Sequence, residues 1–341
     1  MFEYIIKRIL LAILTLFVIL TISYILLRVA PGDPSRSSFL GENAAGSGGV
    51  SAEKGELSKN ISIEEELHLN KPVYIGFYLW LKEFISHGNF GRSIIVDKGK
   101  PVFTVIFDRL PVTLTINFWA ILVIYLISIP LGIFSAVTKR KNLDKFVTFL
   151  LFFLYSLPAF WVALLLQVIL CKGGIFSIFP LKGISNINII GLTTWKIAFI
   201  SASHYILPVI CLSYAGFAGI SRYCRENMKD VMKKDYIRTT RAKGLPEGTV
   251  IYKHALKNAV ITLITLFADL VPGLIAGSII VEYIFNIPGM GDLSMLALSS
   301  RDIPLLMALF FLNGALVLTG ILVADILYVL ADPRINFLSK T

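Results

Sequence analysis

Six long apolar stretches alternate with polar segments along the chain. They run over Ile9 to Leu27, Leu110 to Thr138, Phe146 to Cys171, Ile197 to Ser221, Asn258 to Val281 and Ile303 to Ala324. Each reaches about the 20 residues that a membrane-spanning helix needs. The first stretch exceeds the apolar part of a cleaved signal peptide and no small-residue cleavage site follows it. The pattern therefore predicts an all-α membrane protein with six transmembrane helices.

Composition supports this class. Of the 341 residues 56% are hydrophobic and 16% charged, with a mean hydropathy of +0.76, whereas about a quarter of a soluble globular protein is charged. The three cysteines, Cys171, Cys211 and Cys224, form no CxxC pair and lie in or beside apolar stretches. We therefore expect them to be structural.

The segment after the first stretch is long and polar, and we expect residues 31–109 to lie outside the cytoplasm, between an N-terminal helix (1–30) and a core domain with five transmembrane helices (110–341). Residues 41–60 are rich in Gly, Ser, Lys and Glu, which predicts a flexible loop with no assigned function. Apolar residues at helical spacing over about 73–87 predict an amphipathic helix on the outer membrane surface or on the helix bundle. We favour packing without a ligand role.

A basic island, residues 221–259, separates the fourth and fifth stretches. It holds ten Lys/Arg and four acids, and so carries a net charge of +6 out of the chain's +10. Asp235 is the expected N-cap of a short helix and Gly244 its C′ residue. A second short helix should restart after Leu245, with Pro246 in its first turn. The island therefore predicts two short helices around a glycine.

Charge also predicts the topology. If both termini are cytoplasmic, 18 Lys/Arg lie inside and 13 outside, most of the latter spread over the long 31–109 segment. Because the positive-inside rule weighs short loops, this orientation is favoured. Topology explains the basic charge better than nucleic-acid binding does. For the island itself, contact with anionic lipid is the simplest alternative to a docking role.

Few polar groups lie inside the apolar stretches. Asp269 is a carboxylate within the fifth stretch, where insertion costs about 2.5–3.5 kcal/mol, so we expect it to face the bundle interior, a cavity or a partner helix. For Asp269 and for His204 in the fourth stretch, a structural hydrogen bond is favoured over a translocation-path contact. The turn before the sixth stretch is either a connector or a surface for an extracellular partner. Its candidate outer-face contacts are Pro288, Gly289, Gly291, Arg301 and Asp302.

Catalytic motifs are missing from the sequence. It contains no GxxxxGK[ST], HExxH or GxSxG pattern, so we expect no enzyme, no bound cofactor and no metal site in this chain. If the chain transports a solute, the transport needs a source of energy. An ion-coupled carrier should show several intramembrane ionisable groups, whereas these stretches contain essentially Asp269. The remaining candidate for energy input is the island, through which an attached soluble protein could move the spanning helices.

Asp235 to Leu245 (DYIRTTRAKGL), followed by HALKNA at His254 to Ala259, resembles the cytoplasmic coupling motif of permease subunits of bacterial ATP-binding-cassette (ABC) importers, in the dipeptide and oligopeptide version (the "B" type permease). Further motifs resemble this family in order over nearly the whole chain: Arg8 to Leu10, Pro31 to Pro34, Gly88 to Ser93, Pro101 and Val102, Leu110 to Leu114, Val281 to Phe285, Pro288 to Gly291, Arg301 to Pro304, and Asp325 with Asp332 to Ile335. The chain departs from the family at Thr262, where a proline is usual, and at Asp269, where an uncharged residue is more frequent.

The resemblance implies a type I ABC importer permease fold in the bacterial inner membrane, coupling ATP hydrolysis to peptide import. Implied partners are a second homologous permease, two cytoplasmic ATPases that bind ATP and Mg, an extracytoplasmic solute-binding protein, the peptide and the lipid bilayer. The residues implied to contact an ATPase are Asp235, Tyr236, Ile237, Arg238, Thr239, Thr240, Arg241, Ala242, Lys243, Gly244 and Leu245. A same-family importer of nickel or another small solute, and an ion-coupled secondary transporter, stay open as alternatives.

Overall fold

The structure is a computed structural model that describes residues 2–29, 70–88, 90–181, 194–260, 263, 273–274 and 277–331. Over these residues it contains helices and no β-strand, apart from isolated bridges at Arg92–Pro101 and Cys171–Phe179. The helices are α1 (Phe2–Val29), α2 (Val73–His87), α3 (Val102–Val137), α4 (Lys141–Ser156), α5 (Ala159–Leu170), α6 (Thr194–Met232), α7 (Asp235–Ala242), α8 (Glu247–Thr249) with a π-helical turn (Val250–Ala255), α9 (Ile279–Ile284), α10 (Met290–Ser300) and α11 (Ile303–Ala331). The all-α prediction is confirmed.

Four of the described helices are long and apolar enough to cross a membrane: Ile6–Val29, Val102–Val137, Ala202–Met232 and Ile303–Val323. They correspond to the first, second, fourth and sixth predicted stretches. The pair α4 and α5 raises the number to five if the two count as one span. Most of the fifth predicted stretch, Asn258 to Val281, lies outside the described residues, so the count of six stays a prediction.

The third predicted stretch is not one straight helix, which corrects the sequence-based expectation. It is split into α4 and α5, whose axes differ by 95°. The cause is Pro158, because a residue before proline avoids the α region, and Leu157 is accordingly extended with ψ 128°. The Tyr214 hydroxyl donates a hydrogen bond of 2.7 Å to the Leu157 carbonyl at this break.

The chain forms two compact units. The first comprises Met1–Pro111, Leu293–Leu322 and Phe337–Thr341. Its described core joins Leu20 and Tyr24 of α1 to Ile303 and Met307 of α11, with aromatic residues of α2 packed against them. A Cβ atom on Gly314 would lie 3.0 Å from the Leu16 Cδ1 atom, so α1 and α11 are in close contact there.

The second unit comprises Val112–Asp292 and Val323–Asn336. One of its apolar clusters includes Ile116, Ala163, Leu207, Val281 and Ile287. The other cluster includes Ile124, Cys224, Met228, Ile237 and Val250, and it places α7 and the π-helical turn against α3 and α6. The short helices of the basic island are therefore packed into the body of this unit.

Candidate coupling site

The basic island begins as a continuation of a membrane helix. Helix α6 has 39 residues, or about 58 Å at 1.5 Å per residue, while the hydrocarbon core of a bilayer is about 30 Å thick. It runs past the predicted end at Ser221 as far as Met232. The island thus contains the end of α6 in addition to the two short helices that were predicted.

The start of α7 differs from the prediction by one position. Lys234 is the N-cap, with φ −73° and ψ 149°, and Asp235 is the first helical residue. The Lys234 carbonyl accepts hydrogen bonds from the backbone N–H groups of Ile237 (3.0 Å) and Arg238 (3.4 Å), which closes the first turn one residue earlier than expected. The Asp235 carboxylate pairs with Arg238 at 3.7 Å, and its charge in the first turn suits the helix dipole.

The end of α7 is as predicted. Gly244 has φ +76°, the left-handed conformation that a C′ glycine adopts without strain. Its N–H donates to the Arg241 carbonyl at 2.9 Å, and the Lys243 N–H donates to the Thr239 carbonyl at 3.1 Å. A Cβ atom on Gly244 would meet nothing within 4 Å. The backbone angle, and not lack of space, is what favours glycine here.

Helix α7 has one buried face and one exposed face. Ile237 and Thr240 are buried. Ile237 belongs to the cluster that contains Met228, Val231, Val250 and Ala255. The exposed residues are Asp235, Tyr236, Arg238, Thr239, Arg241, Ala242, Lys243, Gly244 and Leu245. Of the predicted contact residues, Ile237 and Thr240 therefore hold the helix in place, and the others form its accessible surface.

A bidentate ion pair closes the loop between α7 and α8. Arg241 Nη2 lies 2.6 Å from Glu247 Oε1, and Arg241 Nε lies 3.2 Å from Glu247 Oε2. The hydrogen bond from Arg241 holds the pKa of Glu247 below its usual value. Burial opposes this shift, and the charges of Arg241 and Lys139 add to it. On the other side of α7, Asn258 Nδ2 donates to the Tyr236 hydroxyl at 2.9 Å. Both ends of the segment are thereby tied down.

A second ion pair joins α6 to the first turn of α4. The Arg225 guanidinium contacts the Asp144 carboxylate, which also accepts a hydrogen bond from the Ser135 hydroxyl. All three side chains are partly or fully removed from solvent. Sequence reasoning missed this pair because Asp144 and Arg225 are 81 positions apart and belong to no periodic pattern.

The Glu282 carboxylate organises the turn before α10. Glu282 is 2% exposed. It accepts hydrogen bonds from the backbone N–H groups of Gly291 (2.7 Å), Asp292 (3.2 Å) and Ser278 (3.3 Å). The Thr113 hydroxyl is a fourth donor, at 3.2 Å, and in turn accepts from the Met290 N–H at 2.7 Å. The turn is thus wrapped around a buried charge.

This arrangement gives the turn glycines a structural role. Gly289 and Gly291 are buried and Pro288 is half-buried. A Cβ atom on Gly289 would collide with the Glu282 carboxylate and would lie 2.5 Å from Thr113 Oγ1. A Cβ atom on Gly291 would lie 2.6 Å from the Ile279 nitrogen. The two glycines, which are candidate outer-face contacts, are buried and allow the close packing of this turn. Their contact with an outer partner stays a prediction.

Asp302, another candidate outer-face contact, is a buried group, and its contact with an outer partner stays a prediction. It is 0% exposed. Its Oδ2 atom accepts from the Ser93 hydroxyl (2.6 Å) and from the N–H groups of Ile94 (3.0 Å), Ile95 (3.0 Å) and Val96 (3.2 Å). Successive N–H groups of this kind form a concave anion site, which the chain here fills with its own carboxylate. Asp302 therefore fastens the turn before α3 to the start of α11.

The other candidate residues are placed as follows. Arg301 is half-buried and has φ +58°. His204 is half-buried, and its Nδ1 atom lies 2.7 Å from the Ile200 carbonyl oxygen, one turn earlier in α6. Asp269 and Thr262 lie outside the described residues, so their roles stay predictions.

Comparison with known proteins supports the resemblance found in the motifs. The family model "Binding-protein-dependent transport system inner membrane component" matches residues 128–337, and a model of the N-terminal part of such components matches residues 1–117. The chain is 38% identical to "Oligopeptide transport system permease protein AppB" of Bacillus subtilis, over 99% of this chain and 100% of that protein.

Two further relatives agree. "Dipeptide transport system permease protein DppB" of Lactococcus lactis is 32% identical, over 98% of this chain and 100% of that protein. "Oligopeptide transport system permease protein OppB" of Salmonella typhimurium is 32% identical, over 99% and 100%. With more than half of its length matched by the family model and full-length relatives above 30% identity, the chain belongs to the family of binding-protein-dependent transport system inner membrane components.

Proposed function

We propose that this chain is a permease subunit of an ATP-driven, binding-protein-dependent importer of di- or oligopeptides. The observation that carries the proposal is full-length similarity, at 32–38% identity, to three relatives whose names assign them to oligopeptide or dipeptide transport. The chain performs no covalent chemistry in this proposal. Partner ATPases bind ATP and Mg, and this subunit transmits their movement to the translocation path.

The proposed topology has six spans with both termini in the cytoplasm of a bacterial inner membrane. The fifth span takes Asn258 to Val281, and α7 with its loop lies between the fourth and fifth spans on the cytoplasmic side. The domain division at residues 30 and 109 is part of the same proposal. The density of Lys/Arg in residues 139–145 and 221–259 supports this orientation.

In the proposed mechanism the exposed face of α7 docks on one ATPase. Ile237 is fully buried against residues of α6 and of the π-helical turn. Because packed side chains move as a body and not as independent groups, displacement of α7 would displace the end of α6 and the chain that leads into the fifth span. A type I importer permease would in this way switch between inward-open and outward-open states, with substrate delivered by a binding protein and a second permease completing the path.

The first experiment is purification of the tagged full-length chain in mild detergent from cells that express its natural neighbours. We expect two cytoplasmic ATPases and a second permease to copurify. Isolation of the chain alone, together with gradient-driven transport by that single chain in liposomes, would overturn the proposal in favour of an ion-coupled carrier.

The second experiment tests the coupling segment. Gly244→Pro removes an N–H that bonds to the Arg241 carbonyl and forbids the left-handed backbone. We expect normal membrane insertion, retained ATPase activity of the complex and loss of peptide uptake. Gly248→Ala is the matched control, because a Cβ atom there would meet nothing within 4 Å. Normal uptake by the Gly244→Pro complex would contradict the coupling role.

Substrate class is tested separately with radiolabelled di- and oligopeptides in cells that carry the whole complex. Uptake of peptides that requires ATP and the binding protein is the expected result. Uptake of a metal ion such as nickel, without peptide uptake, would contradict the peptide assignment and leave the importer class intact.

A further inference from the structure

Helix α2 has three distinct faces. At 3.6 residues per turn each residue advances about 100° around the axis. Its first face packs on the protein through an aromatic ladder. The Phe77 ring centroid lies 5.4 Å from that of Tyr24 in α1, and the Phe84 centroid lies 5.1 Å from that of Phe311 in α11. Trp80 lies between them and stacks on Phe84 at 5.8 Å.

The second face is apolar and exposed. Tyr74, Tyr78 and Ile85 are 74%, 61% and 73% exposed. Their positions lie about 110° around the axis from the aromatic ladder. Packing within the unit therefore leaves uncovered three large side chains that share one face.

The third face is polar. Lys82, Glu83 and Ser86 are exposed, and their positions lie about 105° further around the axis. Ile75 lies on this face as well, between Lys82 and Ser86 around the axis, and is 36% exposed. The face that packs on the protein, the apolar face and the polar face thus each take about a third of the helix circumference.

The position of α2 along α1 is also defined. Arg28, in the last turn of α1, donates a hydrogen bond of 2.6 Å from Nη2 to the Lys71 carbonyl, two residues before α2 begins. The preceding surface of α1 is exposed and apolar at Ile22, Ile25 and Leu26, as expected of a lipid-facing span. An arginine at the end of such a span places its guanidinium at the boundary of lipid and water.

The apolar surface of α1 reaches α2. The Phe77 ring centroid lies 5.9 Å from that of Phe17, which is 44% exposed and 11 residues before Arg28. Helix α2 therefore lies beside the apolar part of α1 and does not extend away from its end. The span that α2 accompanies has an exposed apolar surface, as a lipid-facing helix requires.

We propose that α2 is an interfacial membrane helix, with Tyr74, Tyr78 and Ile85 in the headgroup and upper acyl region of the bilayer and Lys82, Glu83 and Ser86 in water. Tyrosine suits this place because its ring is apolar and its hydroxyl reaches the polar headgroups. The partner of this surface is the lipid bilayer, and not a soluble binding protein. The bilayer then holds the aromatic ladder, and with it the packing of α1 against α11.

The test is spin labelling of the full chain, with whatever subunits copurify, in vesicles of phosphatidylethanolamine and phosphatidylglycerol. Single cysteines replace Tyr74, Tyr78, Ile85, Lys82, Glu83 and Ser86 one at a time, in a background in which the buried Cys171, Cys211 and Cys224 are alanine. Power-saturation spectra then compare collision of each label with oxygen, which concentrates in lipid, and with a water-soluble nickel chelate.

We expect oxygen to be favoured at positions 74, 78 and 85 and the nickel chelate at 82, 83 and 86. Chelate access at all six positions would show that the apolar face is in water and would overturn the proposal. Protection of positions 74, 78 and 85 from both reagents would show that protein covers them, which would also overturn it. Because the readout needs no transport, a failure here would leave the importer proposal untouched.

Discussion

Two buried carboxylates shape this chain at the scale of single residues. Glu282 and Asp302 each accept hydrogen bonds from backbone N–H groups of a nearby turn and from one hydroxyl group. Donors of this kind stabilise a buried charge only while the carboxylate stays in place. Removing the carboxylate leaves several buried N–H groups without a partner, and each such loss costs about 1–3 kcal/mol.

Asp302→Asn should therefore destabilise the protein. The Asp302 Oδ1 atom also accepts, from the Leu305 N–H at 3.4 Å, so both oxygens are acceptors. The amide NH₂ of asparagine cannot accept, so whichever way the group turns, it puts a donor where the carboxylate had an acceptor. We expect a loss of about 1–3 kcal/mol, seen as a lower midpoint of thermal unfolding in detergent. Asp97→Asn is the control, because Asp97 lies in the same turn and makes an exposed ion pair with Lys100. Equal midpoints for the two variants would contradict the role of Asp302.

These residues show what sequence reasoning could and could not reach. Gly244 was predicted correctly because the reason for a C′ glycine is local, in the backbone angle of one residue. The motifs around Gly289 and Asp302 were also found, but their buried hydrogen-bond partners were not. The Ser93 hydroxyl that contacts Asp302 is 209 positions away, and no periodic pattern predicts a contact over that distance.

At the scale of elements, the break between α4 and α5 depends on a hydrogen bond from another helix. Tyr214 of α6 donates to the Leu157 carbonyl at 2.7 Å, a group that the proline break leaves without its helical partner. Tyr214→Phe should lower stability by about 0.6–2 kcal/mol, the range for hydrogen bonds between membrane helices. Thermal unfolding in detergent measures the loss, and Tyr223→Phe, at an exposed site in α6, should cause none. An unchanged midpoint for Tyr214→Phe would argue against this contact.

The Arg241–Glu247 pair gives a prediction for the coupling loop. Arg241→Glu should lower ATP-dependent uptake, because two acids then face each other across Gly244. The exchange Arg241→Glu with Glu247→Arg should restore most of the uptake if loop closure is what the pair provides. Measuring peptide uptake by reconstituted complexes distinguishes the two outcomes. A double variant as inactive as the single one would show that the charge at position 241 itself contacts the ATPase.

The same pair predicts a pH dependence. Its hydrogen bond lowers the pKa of Glu247, so its contribution is complete above the ordinary glutamate pKa of about 4.3 and is lost as the pH falls through the lowered value. We therefore expect the uptake of Glu247→Gln, relative to the unsubstituted chain, to be constant between about pH 6 and 8. A ratio that rises or falls over this range would indicate a different ionisation at the loop.

Element boundaries were predictable to different degrees. Hydrophobic length identified α1, α3, α6 and α11 because each is a continuous apolar helix. It could not reveal the 95° bend at Pro158, since proline is tolerated in many membrane helices when neighbours satisfy the backbone. The π-helical turn at Val250–Ala255 also has no sequence signal. Such turns often occur at functional sites, and this one leads from the loop after α7 towards the proposed fifth span.

At the scale of the whole molecule, the proposed topology depends on whether the bent pair α4 and α5 crosses the membrane. Together they have 28 residues, enough for about 42 Å as one helix, but a pair bent by 95° could also enter and leave on the same side. The charge pattern favours crossing. Residues 139–145 before the pair carry four Lys/Arg in seven residues, and residues 172–196 after it carry three in 25.

Cysteine labelling in cells would decide this question. We expect a membrane-impermeant maleimide to label Lys82→Cys and Lys172→Cys from outside, and Arg140→Cys and Lys233→Cys only after the membrane is opened. All four native side chains are exposed, so a difference in labelling reports the side of the membrane and not burial. Labelling of Arg140→Cys and Lys172→Cys from the same side would make α4 and α5 a re-entrant loop. The chain would then have an odd number of spans, and its two termini could not both be cytoplasmic.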